Sequence, residues 1–162
     1  MKNVFDNIPE ELKELPQWVA WDFEENLKDP DRPKKPLINP KTGKKASVTN
    51  PKTWGTFKAA VNRFKKDGLP GIGFVFTEND PYVGIDLDDC RDVKTHKIKV
   101  ESQKIIDSFA TYTEISPSGT GVHIIAKGKL PGKGRNFGYV KGFGKVEMYD
   151  HAHYFTFTGD LL

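Results

Sequence analysis

Residues 82–89 read Tyr82-Val83-Gly84-Ile85-Asp86-Leu87-Asp88-Asp89, and their alternation decides the fold class. Val83, Ile85 and Leu87 alternate with Gly84, Asp86 and Asp88, which is the period of an extended strand. Three apolar side chains therefore share one face and two carboxylates the other. Carboxylates at i and i+2 on a strand can splay around hard cations such as Mg²⁺ or Mn²⁺, which take oxygen ligands. The same spacing also occurs on a merely solvated strand face. An EF-hand loop fits worse, because Cys90 and Arg91 occupy its fifth and sixth positions and the sixth requires glycine.

Outward from this strand, Gly71 to Thr77 (GIGFVFT) reads as a second strand, and Glu78-Asn79-Asp80-Pro81 is turn sequence, so the two are expected to form a hairpin. Val100 to Phe109 reads as a helix presenting Ile105, Ile106 and Phe109. Thr111 to Ile115 and Val122 to Lys127 read as strands flanking SPSGTG, followed by a glycine-rich basic loop. Lys145 to Tyr149 and Tyr154 to Thr158 are expected to form a closing hairpin around His151. Before residue 71, a short helix over Pro9 to Leu15 with Asn7 as its cap precedes a strand over Gln17 to Phe23 and a charged loop over residues 26–33. A short strand over Lys35 to Asn39 and a helix over Trp54 to Lys66 follow, with Asn50 or Thr53 as cap and Gly68 as stop. This order predicts an α+β fold with a largely antiparallel sheet. The chain reads as one domain over 1–162, with an N-terminal α/β unit over 1–70 and a second unit over 71–162.

Composition narrows the class. The 162 residues are 36% hydrophobic and 29% charged, and no apolar run approaches the ~20 residues of a membrane span. No signal peptide is evident, and the single cysteine, Cys90, permits no internal disulfide, so a cytoplasmic location is expected. The net charge of +3 is unevenly distributed. Residues 115–146 contain no acid but carry Lys127, Lys129, Lys133, Arg135, Lys141 and Lys145. Such a block suits a phosphate-facing surface and equally a solvated loop.

Two more segments carry candidate chemistry. Glu147 alternates with Val146 and Met148, which repeats the pattern of acid on one face and apolar residues on the other. Three carboxylates on two strands make a two-metal site possible, in which one cation activates a hydroxyl and the other neutralises phosphate charge. Ser116-Pro117-Ser118-Gly119-Thr120-Gly121-Val122-His123 offers glycine-turned amides, hydroxyls and a histidine at a strand start, a combination suited to a triphosphate. In isolation it is also an ordinary turn before a structural histidine.

In order, these motifs resemble those of the archaeo-eukaryotic primase superfamily, particularly the small primase-polymerases of phages and plasmids. Asp86 and Asp88 match its first motif, Ser116 to His123 its second, and Glu147 in KVEMYD its third. WVAW, NPKTGKKAS, NPKTWGTF and YFTFTGD resemble the flanks of phage-type members. One departure is His153-Tyr154, where relatives often carry Arg before Tyr.

The resemblance implies an RRM-like, mostly antiparallel catalytic half packed on the N-terminal α/β unit, with the active cleft between them. It implies template-dependent nucleotidyl transfer by a DNA primase or polymerase. Asp86, Asp88 and Glu147 would hold Mg²⁺ or Mn²⁺. His123, Ser116, Ser118 and Gly119 would bind the incoming nucleoside triphosphate, with Lys44, Lys45 and Ser47 as further nucleotide contacts. Lys133, Arg135 and Lys141 would follow a single-stranded DNA template beside its primer. Relatives continue into a helical region and often a helicase, so the chain is expected to be part of a longer protein.

Two other functions compete. Phe137, Tyr139 and Phe143 among basic residues suit a non-catalytic single-strand binder, although that leaves the three acids unexplained. His151-Ala152-His153 resembles the metal-binding pair of rolling-circle nicking enzymes. Their chemistry needs a nucleophilic tyrosine on a following helix, and Tyr154 sits in strand sequence.

Overall fold

The computed structural model describes residues 4–30 and 33–162. Asp31 and Arg32, within the charged loop expected over 26–33, lie outside the described residues. The chain divides into two units, one of Pro9–Val75 and one of Phe76–Leu162 together with the start of the chain through Ile8.

In the first unit, the helix α1 (Glu10–Lys13) precedes the strand β1 (Trp18–Trp21). β1 pairs antiparallel with β2 (Leu37–Ile38) on one side and with β3 (Gly71–Phe76) on the other. β1 is buried along its whole length, as expected of WVAW at the centre of a sheet. Trp18 is fully buried, with Phe57 and Phe74 meeting its ring edge-on at 5.0 and 5.2 Å. Its indole N–H donates to Leu12 O at 3.0 Å, so the buried polar atom is satisfied. Phe57 opens the helix α2 (Phe57–Asp67), whose N-cap is Thr56, the hydroxyl accepting from the Ala59 N–H at 3.2 Å. Asn50, one of the two caps expected from sequence, instead caps a short 3-10 turn over Pro51–Thr53. Gly68 ends α2 in the left-handed conformation, as its sequence position predicts. α1 lacks a side-chain cap, because its N-cap position falls on Pro9 and not on Asn7, whose amide donates to Gly159 O at 3.0 Å.

The second unit is built on a five-stranded antiparallel sheet in the order β5-β6-β4-β8-β7. Its strands are β4 (Tyr82–Asp88), β5 (Thr113–Ile115), β6 (Val122–Lys127), β7 (Arg135–Val140) and β8 (Gly144–Tyr149). The helix α3 (Val100–Phe109) covers one face. Ile85, Leu87, Val122 and Ile124 bury that face with Ile106 and Cys90, while Ile98, Ile105, Val146 and Met148 pack around them. Phe109 is 41% exposed and takes no part. The opposite face is the one that carries Gly84, Asp86 and Asp88. Over it lie Phe76 and, from β9 (His153–Phe157), Phe155, the two rings meeting edge-on at 5.2 Å. Gly84 is required there, since a Cβ would sit 2.6 Å from the Phe155 ring and 2.8 Å from Phe76.

Three further expectations from sequence are corrected. β3 and β4 are not a hairpin, because each belongs to a different sheet. The cause is Asp80, only 4% exposed, whose carboxylate accepts from the Thr77 N–H and hydroxyl and from the Tyr82 N–H. These bonds shape a turn that redirects the chain instead of closing a ladder. β8 and β9 are not a hairpin either, since β8 lies between β4 and β7. The reversal between β8 and β9 passes through Ala152 at φ 50 and Asp150, which accepts from the Leu130 N–H at 2.9 Å. Residues 135–140, read from sequence as loop, form the edge strand β7, with a register shift between Asn136 and Tyr139.

Candidate active site

The registers of the second unit align five polar residues across five strands. Glu114 on β5 faces His123 on β6, His123 faces Asp86 on β4, Asp86 faces Glu147 on β8, and Glu147 faces Asn136 on β7. Directly opposed residues on antiparallel strands have Cβ atoms about 5 Å apart and project to the same face. Asp88 lies two residues along β4 on that same face, opposite Lys145. Thus the structure brings together Asp86, Asp88, Glu147 and His123 on one side of one sheet, although they span more than sixty positions of sequence.

The contacts along this row run from buried to open. Glu114 is fully buried, and its carboxylate accepts from the Thr158 N–H (3.0 and 3.1 Å), the Gly159 N–H (2.9 Å) and the Tyr112 hydroxyl (2.7 Å). The remaining approach, at Oε1, is taken by His123 Nδ1 at 3.3 Å. On its other side, His123 Nε2 lies 3.8 Å from Asp86 Oδ1. Burial opposes a charge on this imidazole, but the bond to Glu114 and the nearby Asp86 and Asp88 outweigh it and hold its pKa above the ordinary value. At the open end, Asn136 donates to Glu147 Oε1 at 2.6 Å.

The loop before His123 is packed against the acids. Ser116, Ser118 and Thr120 form a chain of hydroxyls, with Oγ–Oγ separations of 3.0 and 2.8 Å. The Gly119 N–H closes the turn on Ser116 O at 2.9 Å, so the Gly119 amide is engaged internally; Ser116 is buried, and the loop offers the exposed Ser118 hydroxyl at its surface. Gly121 permits the close approach to β4, because a Cβ there would lie 2.7 Å from Leu87 O and 2.9 Å from Asp88 Oδ1. Arg91, just past β4, holds the loop from the other side, with its guanidinium donating to Gly119 O and its backbone N–H to Thr120 O, both at 2.8 Å.

Among the described residues, no group of three or more His, Cys, Asp or Glu side chains is arranged to hold an ion as it stands. The donor set nonetheless suits one chemically. Asp86 and Glu147 are a directly opposed pair, Asp88 shares their face, and all three offer carboxylate oxygens of the kind that Mg²⁺ and Mn²⁺ prefer.

The chain is similar to a phage DNA primase-polymerase. The protein of that name from Nitratiruptor phage NrS-1 is 37% identical over 151 residues, covering 93% of this chain and 20% of the phage protein. The chain therefore spans about a fifth of the length of the curated relative it matches. No protein-family model matches the chain. Likeness across nearly the whole chain supports a primase-polymerase relationship.

The other residues singled out from sequence are placed as follows. Lys44 and Lys45 are exposed in the first unit, Lys45 with its amine 3.8 Å from Glu24, and the Ser47 hydroxyl bonds that of Thr49 at 3.0 Å. Lys133, Arg135 and Lys141 are all exposed. Arg135 stands opposite Met148, on the reverse side of β7 from Asn136 and Glu147. There, with Lys133, Phe137, Leu130, Pro131 and Met148, it lines a cavity of about 240 Å³. His151 bonds Asp150 at 2.7 Å, while His153 stacks on the Tyr149 ring at 3.7 Å. Tyr154 lies in β9, a strand, where the nicking chemistry needs a helix. Among the described residues no helix is long and apolar enough to cross a membrane.

Glu114, Arg91 and Asn136 were not singled out from sequence. Glu114 carried a signal, being the acid two residues after Tyr112 on the same strand face and the last before the acid-free stretch. Arg91 and Asn136 carried none, because their roles depend on which strands become neighbours.

Proposed function

We propose that this chain is the nucleotidyl-transfer part of a DNA primase-polymerase, built on the RRM-like archaeo-eukaryotic primase fold. The observation that carries this reading is the cross-strand alignment of His123, Asp86 and Glu147, with Asp88 one step along the same face. A structural strand face does not need three carboxylates and a buried histidine at adjacent positions, since like charges directly opposed destabilise a sheet. A site that gathers cations and phosphates does.

Asp86, Asp88 and Glu147 would hold Mg²⁺ or Mn²⁺. When bound, such ions lower the pKa of the attacking 3′-hydroxyl and neutralise the charge that builds on the leaving pyrophosphate. The chain's own residues then have separable tasks. His123 donates to the nucleotide's phosphates, and the hydroxyls of Ser116 and Ser118 add contacts beside it. Gly121 lets the loop approach the carboxylates, and Arg91 fixes its far side. Asn136 steadies Glu147.

Lys133, Arg135 and Lys141 would neutralise phosphates of a single-stranded template and its primer, without reading bases, because exposed flexible cations offer no fixed bidentate geometry. A helicase region elsewhere in the full-length protein would supply the unwound template. Incubation of the chain with a labelled primer-template, each deoxy- or ribonucleoside triphosphate, and Mg²⁺ or Mn²⁺ should give primer extension that chelation abolishes. No extension with either metal or either nucleotide type would remove the catalytic reading and favour the single-strand binder.

A further inference from the structure

At the closed end of the polar row, Glu114 is unlike the other acids. It is fully buried, and its carboxylate accepts from two backbone N–H groups and the Tyr112 hydroxyl. Burying an ionised carboxylate is costly unless hydrogen bonds replace its water. Two backbone N–H groups and the Tyr112 hydroxyl do so here, and they also fix the carboxylate in position. The one contact left is to His123 Nδ1.

An acceptor surrounded by donors requires a hydrogen on that nitrogen. His123 therefore donates through Nδ1 whether its ring is neutral or charged. The Phe155 ring, 5.2 Å away, bounds the imidazole on another side. Nε2 is left pointing along the row to the Asp86 side.

We propose that Glu114 is a positioning residue, which locks the imidazole of His123 so that Nε2 is presented to the phosphates of the incoming nucleoside triphosphate. This inference rests on the nucleotide-binding role given to His123 above. Glu114 touches no substrate in this arrangement and acts only through the ring. Second-layer carboxylates that set the tautomer and rotation of a working histidine are a general device in binding sites.

A thermodynamic cycle on nucleotide affinity separates positioning from plain structural support. Calorimetry with a non-hydrolysable deoxynucleoside triphosphate and Mg²⁺ is run on the unaltered chain, Glu114→Gln, His123→Ala and the double variant, each checked for folding by circular dichroism. Glu114→Gln should weaken binding about tenfold in the unaltered background and less than twofold when His123 is already Ala. A proton on His123 Nδ1, slow to exchange and far downfield in the NMR spectrum, should be present in the unaltered chain and absent from Glu114→Gln. If Glu114→Gln does not fold, Glu114→Asp, which keeps the carboxyl group but withdraws it by one methylene, goes through the same cycle with the same expectation.

Equal losses in both backgrounds, or undiminished affinity in a folded Glu114 variant, would overturn the positioning role while leaving His123 as a nucleotide ligand. Undiminished affinity in His123→Ala would overturn both, and the fault would then lie with the nucleotide-binding reading.

Discussion

Gly121→Ala tests whether the loop must lie against the carboxylates. The added Cβ would stand 2.7 Å from Leu87 O, about 0.7 Å inside the 3.4 Å at which ordinary contact begins, and 2.9 Å from Asp88 Oδ1. Neither neighbour yields cheaply, because Leu87 O is backbone and Asp88 is the residue whose place matters. The loop must retreat from β4 by most of that overlap. Overpacking of this kind costs about 1–3 kcal/mol, and each kcal/mol lowers Tm by roughly 2–4 °C in a chain of this size.

The kinetic effect should be larger than the loss of stability suggests. Misplacing a substrate-holding group by about 1 Å can cost about 10²-fold, so the kcat/KM for incorporation should fall between 10- and 100-fold. Gly128→Ala, at the other end of β6, is the control, since its Cβ would meet only Val83 at 4.0 Å. Steady-state incorporation and thermal melting on both variants decide the matter. Equal activity in Gly121→Ala and Gly128→Ala would refute the argument that the loop's approach to Asp88 positions the nucleotide.

Three further outcomes are expected. Replacing Lys133, Arg135 and Lys141 together by Ala should flatten the salt dependence of single-stranded DNA binding, measured by fluorescence anisotropy; if three contacts are lost, the slope of log K against log salt should become shallower by about 2. Burial pushes the Cys90 thiol up to about 11, so at pH 8 its thiolate fraction is on the order of 10⁻³; a thiol reagent should modify the native chain at least about a hundredfold more slowly than the denatured one. Burial opposes charge on Asp150, but the Leu130 N–H and His151 outweigh it and hold its pKa below 3.8. Its contribution to stability is therefore complete above about pH 4 and is lost as pH falls through the lower folded pKa, so Asp150→Asn should be less stable at pH 7 and show a flatter acid limb in a melting series.

Much of the fold was legible because local signals and final packing agreed. Ile85, Leu87, Val122 and Ile124 alternate as strand residues and bury one face, and Gly68 and Ile106 act through contacts within a few residues or one helical face, whereas the cap of α2 fell to Thr56 and not to Asn50 or Thr53. What failed was pairing. Glu78-Asn79-Asp80-Pro81 looks like a hairpin turn, but turn chemistry does not say whether the strands it joins will share a sheet, and the buried Asp80 separates them. β7 was illegible because an exposed edge strand interrupted by Gly138 has almost no apolar alternation to read.

The site divides in the same way. Asp86, Asp88 and Glu147 announce their face by alternation alone. That Glu147 stands opposite Asp86, and that Glu114 lies behind His123, depends on registers between strands distant in sequence, which no local pattern encodes.

Asp86, at the middle of the row, is the residue on which the proposed nucleotidyl transfer depends. Its most direct test is single-turnover incorporation of one nucleotide on a primed template, with saturating Mg²⁺ or Mn²⁺, by the unaltered chain and by Asp86→Asn, which keeps the side chain's volume and removes its charge. Asp86→Asn should incorporate at a rate reduced by at least about a thousandfold, with melting temperature and oligonucleotide affinity retained. Incorporation by Asp86→Asn at an undiminished rate would contradict that dependence.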